Sequence, residues 1–327
     1  MSFYKNKKIL ITGGTGMIGI ALTNSLLKEG AIVTVVSLDK IKIKKKNLKI
    51  VNKDLRELKN CIQLCKKKDY VFHLAGVKGS PEMTKSKPAS FFVPTISFNT
   101  NILEAARRCN VKRTLYTSSI GVYSPANIFH EDDMWNKPPS NNDKFAGWAK
   151  RMGELQAEAY EIEHGESNIS IVRPANIYGP YDNFNPNNAM VIPSLIYKAF
   201  KSKKVLQVWG NGKPRRDFMF SEDCAEAMKL ILKKNINYPV NLGSGNGISI
   251  EDIAEIIKKN INKNLKIEWH SKKSKGDNIR ILSIQKLKKI GFKPRYSLEE
   301  GIKKTIDWYK TNRNISKKKY NSFLESI

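Results

Sequence analysis

A glycine-rich segment between a predicted strand and a predicted helix most strongly limits how this chain can fold. Residues 12–19 read Thr-Gly-Gly-Thr-Gly-Met-Ile-Gly, directly after the β-branched run at 8–12 and ahead of a helical pattern that begins at Met17. Glycines in this context permit a tight turn, let backbone N–H groups approach a pyrophosphate and allow the helix to pack close to the sheet. The segment therefore predicts a dinucleotide-binding turn, with a purely structural glycine turn as the alternative.

Short β-branched runs alternate with helical patterns through the first two-thirds of the chain. Strands are predicted at 8–12, 31–36, 48–51, 70–74, 113–117, 169–172 and 240–242. Helices are predicted at 17–29, 99–108 and 145–164, where apolar residues recur at helical spacing. Repeated strand–helix–strand units require right-handed crossovers. The pattern predicts an α/β protein with a doubly wound Rossmann fold, whose mostly parallel sheet is covered on both faces.

The sequence changes in character near Pro174, where prolines and asparagines begin to interrupt the chain. Further helices are predicted at 192–200, 222–233, 250–260 and 298–309. We assign residues 1–175 to a dinucleotide-binding domain that also takes in the segment at about 215–243. Residues 176–214 and 244–327 are predicted to form a smaller C-terminal domain interleaved with it.

Composition excludes several classes of protein. The 327 residues carry a net charge of +28, from 58 Lys and Arg against 30 Asp and Glu, but the lysines are spread along the chain without a nucleic-acid motif. Specific nucleic-acid binding is therefore not predicted, although phosphate-bearing ligands would be attracted. No apolar run reaches the roughly 18 residues of a membrane helix and no secretory signal is recognised, which predicts a cytoplasmic protein without a membrane partner. The 4 cysteines and 4 histidines are scattered, so no metal site is predicted.

The end of the second strand bears on the choice of cofactor. An acidic residue at that point normally holds the ribose hydroxyls of the adenosine. Ser37 occupies the position here, and Asp39 follows two residues later. Ser37 with Lys40 could receive a 2′-phosphate, whereas Asp39 turned back towards the ribose would repel one. The residues leave both NAD and NADP open as the cofactor.

Other segments are similar to the motifs of a known enzyme superfamily. These segments lie at 54–55, 73–76, 117–123, 173–180 and 216–218, and a less secure match is Arg280. With the glycine turn, they resemble the extended short-chain dehydrogenase/reductase superfamily nearly end to end. The closest resemblance is to its NAD(P)-dependent sugar-nucleotide epimerase/dehydratase family, and there to GDP-L-fucose synthase-like members. The resemblance implies epimerisation or keto-reduction of a nucleotide-diphosphate sugar, with a GDP-sugar favoured.

The resemblance also assigns roles to residues, and it makes the smaller domain the sugar-nucleotide-binding one. It implies a homodimer built on the helices near Asn99 and Trp148. Substrate binding falls to Ser119, Asn176, Arg216 and Arg280, and catalysis to Ser119 and Lys150. Including the glycine turn and the end of the second strand, the cofactor-binding residues are predicted to be Gly13, Gly16, Met17, Ile18, Gly19, Ser37, Asp39, Asp54, Leu55, Leu74, Ala75, Gly76, Asn99, Lys150, Pro174 and Ile177.

One residue that this chemistry needs is missing. A Tyr four residues before a Lys lies on the same helix face, where the ammonium lowers the pKa of the phenol that exchanges a proton with the sugar hydroxyl. Lys150 is present, but the position four residues earlier is Ala146, and the neighbouring Phe145 has no hydroxyl. We therefore keep open an alternative, a protein that binds NAD(P) and a sugar nucleotide with reduced or no turnover.

Two further substitutions narrow the reaction. Sugar dehydratases carry an Asp-Glu pair where this chain has Ile120 and Gly121, which argues against water elimination. GDP-L-fucose synthases use a Cys and a His to epimerise two carbons, and the matching positions are Gly121 and Tyr181. Our hypothesis is that Tyr181 supplies the missing phenol as a catalytic residue. The alternative is that Tyr181 only packs or stacks.

Overall fold

A seven-stranded parallel sheet forms the centre of the protein. The computed structural model describes residues 2–39, 44–77, 86–165, 168–185, 188–270 and 277–313, with elements numbered in chain order. The strands of this sheet are β1 (Lys8–Thr12), β2 (Ile32–Val36), β3 (Leu48–Val51), β4 (Tyr70–His73), β5 (Arg113–Thr117), β6 (Ile169–Pro174) and β10 (Val240–Leu242). Their order is β10-β6-β5-β4-β1-β2-β3, and every neighbouring pair is parallel.

Helices cover both faces of this sheet. The helices of the described residues are α1 (Met17–Lys28), α2 (Leu58–Cys65), α3 (Pro88–Arg108), α4 (Lys144–His164), α5 (Val191–Lys201), α6 (Ser221–Lys233), α7 (Ile250–Ile261), α8 (Gln285–Lys289) and α9 (Leu298–Thr311). α1 and α6 pack on the face to which β1 contributes Ile9 and Ile11. α2, α3 and α4 pack on the opposite face, to which β1 contributes Leu10. Successive β1 residues thus enter two different cores, which explains the continuous apolar run of this strand.

The strand order reverses between β1 and β4. The chain proceeds from β1 through β2 to β3 on one side, and from β4 through β5 and β6 to β10 on the other. At such a switch point the connections leave in opposite directions and open a crevice at the carboxyl ends of the strands. The glycine turn follows β1 and residues 74–76 follow β4, so both predicted cofactor segments lie at this crevice.

The smaller region contains two further sheets. Its strands are β7 (Asn176–Tyr178), β8 (Val205–Trp209), β9 (Arg215–Phe220), β11 (Gly247–Ser249), β12 (Lys266–His270) and β13 (Ile279–Arg280). β9 pairs with β7, β11 and β13, while β8 pairs with β12. A separate hydrophobic core, which includes Phe220, Ile253, Ile302 and Ile306, holds these strands against α5, α7 and α9.

The predicted fold class, a doubly wound and mostly parallel α/β sheet with an interleaved C-terminal part, is confirmed. The predicted helix at 99–108 begins earlier, at Pro88, because proline is tolerated in the first turn and Pro94 is accommodated inside the helix. The segment at about 215–243, assigned to the dinucleotide-binding domain, contains β9, which pairs with strands of the smaller region and contributes Met219 to the main core, and α6, which packs on the main sheet. The domain boundaries stay an interpretation.

Within the described ranges, no helix has the length and apolar character needed to span a membrane. The cytoplasmic location stays a prediction from the sequence.

A buried ion pair ties α4 to the carboxyl end of β6. Arg173 donates from Nε to Glu154 Oε1 at 3.0 Å and from Nη2 to Oε2 at 2.6 Å, and both side chains are almost inaccessible to solvent. The same guanidinium donates to the Tyr123 hydroxyl at 2.9 Å and to the Glu131 carbonyl at 2.7 Å. Removing one partner of a buried pair leaves the other charge uncompensated, so this cluster is sensitive to substitution.

We expect Glu154→Gln to lower the free energy of unfolding by about 3 kcal/mol, because the Arg173 charge stays buried without its counter-ion. Urea unfolding of the full chain measures the change. The control is Glu158→Gln, one turn further along the same helix and exposed, which should change stability by less than about 0.5 kcal/mol. Equal unfolding midpoints for both variants would show that the ion pair is not needed.

Candidate active site

The turn after β1 packs so closely that it leaves no room for a side chain at Gly13 or Gly19. Gly13 has a φ of +64°, and a Cβ on it would lie 2.9 Å from the backbone of Ala75. A Cβ on Gly19 would lie 2.5 Å from the Gly13 carbonyl oxygen. No side chain of the described residues caps the first turn of α1 after Gly16, so its N–H groups can receive an anion. This backbone cradle fits the pyrophosphate of a dinucleotide.

The residues at the end of β2 turn towards this cradle. The Thr15 hydroxyl donates to Asp39 Oδ2 at 2.7 Å and lies 2.6 Å from the Ser37 hydroxyl. The Asp39 N–H donates to Ser37 Oγ at 3.1 Å. Asp39 is therefore turned back towards the glycine turn, which is one of the arrangements that the sequence left open. Lys40, the partner considered for a 2′-phosphate, lies outside the described residues.

The next predicted cofactor residues follow β3. Burial acts to raise the pKa of Asp54, but the hydrogen bonds and the charge of Arg56 outweigh it and leave the pKa below its ordinary value. Leu55 is buried against α2 and α3, and its carbonyl accepts a hydrogen bond from Asn101 at 3.2 Å. The Asp54 carboxylate is thus held by Arg56, and its contact with the cofactor stays a prediction.

A chain of buried hydrogen bonds runs from β1 to α4 behind the cofactor crevice. His73 Nδ1 lies 2.7 Å from Thr12 Oγ1, and His73 Nε2 lies 2.8 Å from Asn99 Oδ1. Asn99 donates to the Tyr116 hydroxyl at 3.0 Å, which donates to the Lys150 carbonyl at 3.0 Å. Because an amide oxygen only accepts, His73 carries its proton on Nε2. Burial, helped by the charge of Lys150, lowers the pKa of His73 to about 3, so the ring is neutral at pH 7.

This buried chain also shapes the wall that follows β4. The backbone N–H groups of Leu74 and Ala75 both donate to the Thr12 hydroxyl at 3.1 Å. Thr12 in turn donates to the neutral His73, since the ring accepts at Nδ1. Leu74 and Ala75 are therefore held beside the glycine turn. Their contact with the cofactor, like that of Gly76, stays a prediction. The sequence drew attention to Asn99 and Lys150 but missed Tyr116, which links them.

Lys150 lies at the carboxyl end of β5. Its Nζ donates to the Thr117 carbonyl at 2.8 Å and lies 5.4 Å from the centre of the Tyr116 ring. Burial lowers the pKa of Lys150 to about 8, although nearby Glu154 opposes the shift. Ala146 precedes Lys150 by one turn of α4 on the same side and offers no polar atom. The Lys150 ammonium thus lacks the tyrosine phenol that the family resemblance leads us to expect one turn before it.

Ser119 begins the 3₁₀ turn Ile120–Val122, and its hydroxyl accepts a hydrogen bond from the Gly121 N–H at 3.0 Å. A Cβ on Gly121 would lie 3.4 Å from this hydroxyl and 3.4 Å from the Cβ and Cγ atoms of Asp143. Asp143 immediately precedes α4 and was not among the predicted site residues. The signal that could have revealed it is its spacing, three residues before Ala146 and seven before Lys150.

Two predicted substrate residues, Arg280 and Arg216, lie near Asp143. Arg280 Nη2 donates to Asp143 Oδ2 at 2.6 Å. Arg216 donates to the backbone carbonyls of Arg215 at 2.9 Å and Asn278 at 3.4 Å. Asn176 donates to the carbonyl of Asp217 at 2.9 Å. Arg280 and Asp143 thus form an ion pair, and Arg216 lies close enough for the charges of both to act on it.

Tyr181 lies in a different environment. Its ring packs against that of Trp308 on α9, with 4.6 Å between the ring centres, and its φ is +66°. This is the packing arrangement considered as the alternative, and the catalytic role of Tyr181 stays a prediction. Pro174 and Ile177, predicted to contact the cofactor, lie at the end of β6 and within β7.

Comparison with known proteins identifies the family. The family described as the NAD dependent epimerase/dehydratase family matches residues 9–243. The chain belongs to this family. The probable GDP-L-fucose synthase 1 of Oryza sativa subsp. japonica is 29% identical over 96% of this chain and 95% of its own length. The GDP-L-fucose synthase of Sinorhizobium fredii is 30% identical over 95% of this chain and 98% of its own length.

Solved structures of the epimerase/dehydratase family share this architecture. A GDP-L-fucose synthetase from Naegleria fowleri bound to NADP superposes with a TM-score of 0.81 and 27% identity, over 97% of each chain. The predicted family, its nicotinamide cofactor and its general function, NAD(P)-dependent modification of a nucleotide sugar, are confirmed at this level. The alternative of a binding protein without turnover is not favoured. Among the described residues, no three His, Cys, Asp or Glu side chains are grouped as metal ligands.

We expect the activity of this family member to fall as the pH rises through about 8, the pKa to which burial lowers Lys150. Loss of that proton removes the ammonium that is predicted to bind the cofactor. Lys150→Arg keeps its charge in this range and should move the basic limb of the profile upward. The measurement is kcat/KM from about pH 6 to about pH 10. Lys28→Arg, at an exposed position of α1, is the control, and a flat wild-type profile contradicts the expectation.

Proposed function

We propose that the chain reduces a keto group at one ring carbon of a nucleotide-diphosphate sugar without epimerising the neighbouring carbons. The observation that supports this is the glycine at position 121. A side chain there would begin 3.4 Å from Ser119 Oγ, beside the reacting group, yet this chain has none. Proton abstraction beside a keto group needs an acid/base side chain. The similarity to the GDP-L-fucose synthases of Oryza sativa and Sinorhizobium fredii favours a GDP-sugar as substrate.

In this proposal, some residues of the chain bind the cofactor and others bind the substrate. A bound nicotinamide supplies the hydride. Lys150, fixed by the Thr117 carbonyl, holds its ammonium at the end of β5, where it can donate to the cofactor ribose. Ser119 offers a hydroxyl to the oxygen of the keto group, since its Oγ is engaged only as an acceptor from the Gly121 N–H among the described residues. Arg216 and Arg280 provide the positive charge for the diphosphate.

Asp39 favours NAD over NADP as the cofactor. Its carboxylate accepts a hydrogen bond from Thr15, which is part of the glycine turn. A carboxylate at this position can bind the ribose hydroxyls, whereas a 2′-phosphate would meet a like charge. The Ser37 hydroxyl also contacts the Thr15 hydroxyl, but it carries no charge. Of these two residues at the end of β2, Asp39 therefore brings the charge to the glycine turn.

We expect purified protein to oxidise NADH in proportion to the 4-keto GDP-sugar added, and to bind NADH at least about tenfold more tightly than NADPH. NADH absorbance and NMR of the product measure the reaction, with the corresponding UDP-sugar as the comparison. Asp39→Ser should reduce the difference in affinity between NADH and NADPH. If the NADH is regenerated and the product is inverted at the same carbon, the reaction is an epimerisation and not a keto-reduction. Tighter binding of NADPH would contradict the role of Asp39.

We also propose that two copies associate through α3 and α4. These helices pack against each other on one face of the sheet, and their outer side exposes Val93, Leu155 and Ile162. Leu155 and Ile162 are seven residues apart and therefore share one side of α4. Exposed apolar side chains on one surface support a self-complementary contact between copies.

The wild-type chain of 37.2 kDa is expected to sediment at twice its mass, and Leu155→Glu should produce monomers because a two-fold axis would bury two added charges. Analytical ultracentrifugation measures the mass. Ile128→Glu is the matched control, since Ile128 is 49% exposed against 45% for Leu155 and lies outside both helices. A dimeric Leu155→Glu protein would place the interface elsewhere.

A further inference from the structure

The position of Asp143 suggests what replaces the missing phenol. Asp143 stands directly before α4, so it shares one side of that helix with Ala146, three residues later, and Lys150, seven residues later. Ala146 has no group that can carry a proton at the position where the phenol is missing. Asp143 is the nearest acid/base side chain on the same side of the helix in the direction of Ser119.

Asp143 also lies close to the reacting hydroxyl. The Cβ and Cγ atoms of Asp143 and the Oγ atom of Ser119 all lie 3.4 Å from the point where a Cβ on Gly121 would stand. The absence of a side chain at 121 therefore opens the space between the carboxylate and the hydroxyl. Any side chain at 121 would enter that space. The side chain of Asp143 is 27% exposed, so it can exchange protons with solvent.

The Asp143 carboxylate is held by Arg280, a residue that we propose to bind the diphosphate of the substrate. Arg280 Nη2 binds Asp143 Oδ2, while Oδ1 accepts no hydrogen bond from the described residues. Arg280 Nε is buried without a hydrogen-bond partner, although Asp277 lies 3.6 Å from it. Among the described residues, no carboxylate lies within 4.0 Å of the neighbouring Arg216. The two guanidiniums thus have unused capacity for an anion such as a diphosphate.

We propose that Asp143 is the proton-transferring residue of this enzyme, released from Arg280 when the diphosphate of the sugar nucleotide binds. This proposal rests on the proposed function. Arg280 holds the Asp143 carboxylate in an ion pair, and a diphosphate that binds Arg280 frees the carboxylate. During reduction the carbonyl π bond breaks as hydride from the bound nicotinamide, which is oxidised, reaches the carbon. The carbonyl oxygen takes the proton from the Asp143 carboxyl, which regains one from solvent.

Asp143→Asn separates this role from a structural one. It removes the proton carrier and weakens the hold on Arg280, so kcat should fall by about 100- to 1000-fold. The affinity for GDP alone, measured by calorimetry, should rise about two- to fivefold, as release from a partly exposed ion pair allows. Asp143→Glu keeps a carboxylate and should recover part of the lost kcat. If Asp143 only anchors residues 277–280 to α4, Asp143→Asn will weaken GDP binding, and that result overturns the proposal.

Asp132→Asn is the matched control. Asp132 also pairs with a cation of the C-terminal region, Lys286 at 2.6 Å, but its side chain is 80% exposed. This variant should leave both turnover and GDP affinity unchanged. Thermal unfolding of each variant shows that the fold is retained.

The outcomes separate the proposal from the function on which it rests. Turnover of Asp143→Asn within twofold of the wild type overturns the role of Asp143 and leaves the proposed function standing. A large loss in Tyr181→Phe, with Asp143→Asn unaffected, assigns the proton to Tyr181 instead. A wild-type chain that turns over no keto sugar nucleotide contradicts the proposed function, and with it the proton transfer. The difference in GDP affinity does not depend on turnover and still reports whether Asp143 restrains Arg280.

Discussion

The close packing of the glycine turn against the ends of β1 and β4 is the constraint on which the rest of the site depends. Backbone meets backbone there, with a Cβ on Gly13 only 2.9 Å from Ala75. This contact places the start of α1 at the crevice and aligns the segment after β4 beside it. Thr12 supports both, because its hydroxyl receives two N–H groups and donates to a neutral His73. A charged ring at this position could not accept that hydrogen bond.

The same polar chain connects the segment after β4 to α4, the helix that carries Lys150, which is predicted to be catalytic. Asn99 and Tyr116 continue it from His73 to the backbone of Lys150. The lysine is therefore positioned independently of a tyrosine one turn earlier, which explains how Ala146 can stand there without loss of the surrounding geometry. The ion pair of Asp143 with Arg280 links the start of α4 to the smaller sheets.

Much of the architecture could be predicted from the sequence. The strands of the main sheet are apolar runs because both of their faces are buried, and their predicted bounds differ from the observed ones by at most two residues. The strands of the smaller region, β7, β8, β9, β11, β12 and β13, were not predicted, since they contain two to six residues and pair only with each other. The start of α3 was missed because Pro88 and Pro94 interrupt the local helical signal.

The residues of the candidate site also fall into those that the sequence could predict and those that it could not. Residues close together in a motif, such as Gly13 and Gly19 or Ala146 and Lys150, have a spatial relation set by local turn and helix geometry, so the sequence alone determined the cofactor turn and the missing phenol. The pairing of Asp143 with Arg280, the packing of Tyr181 on Trp308 and the approach of Asp39 to Thr15 depend on how separate elements pack. Only the tertiary structure decided these contacts, because no local regularity relates residues that distant chain segments bring together.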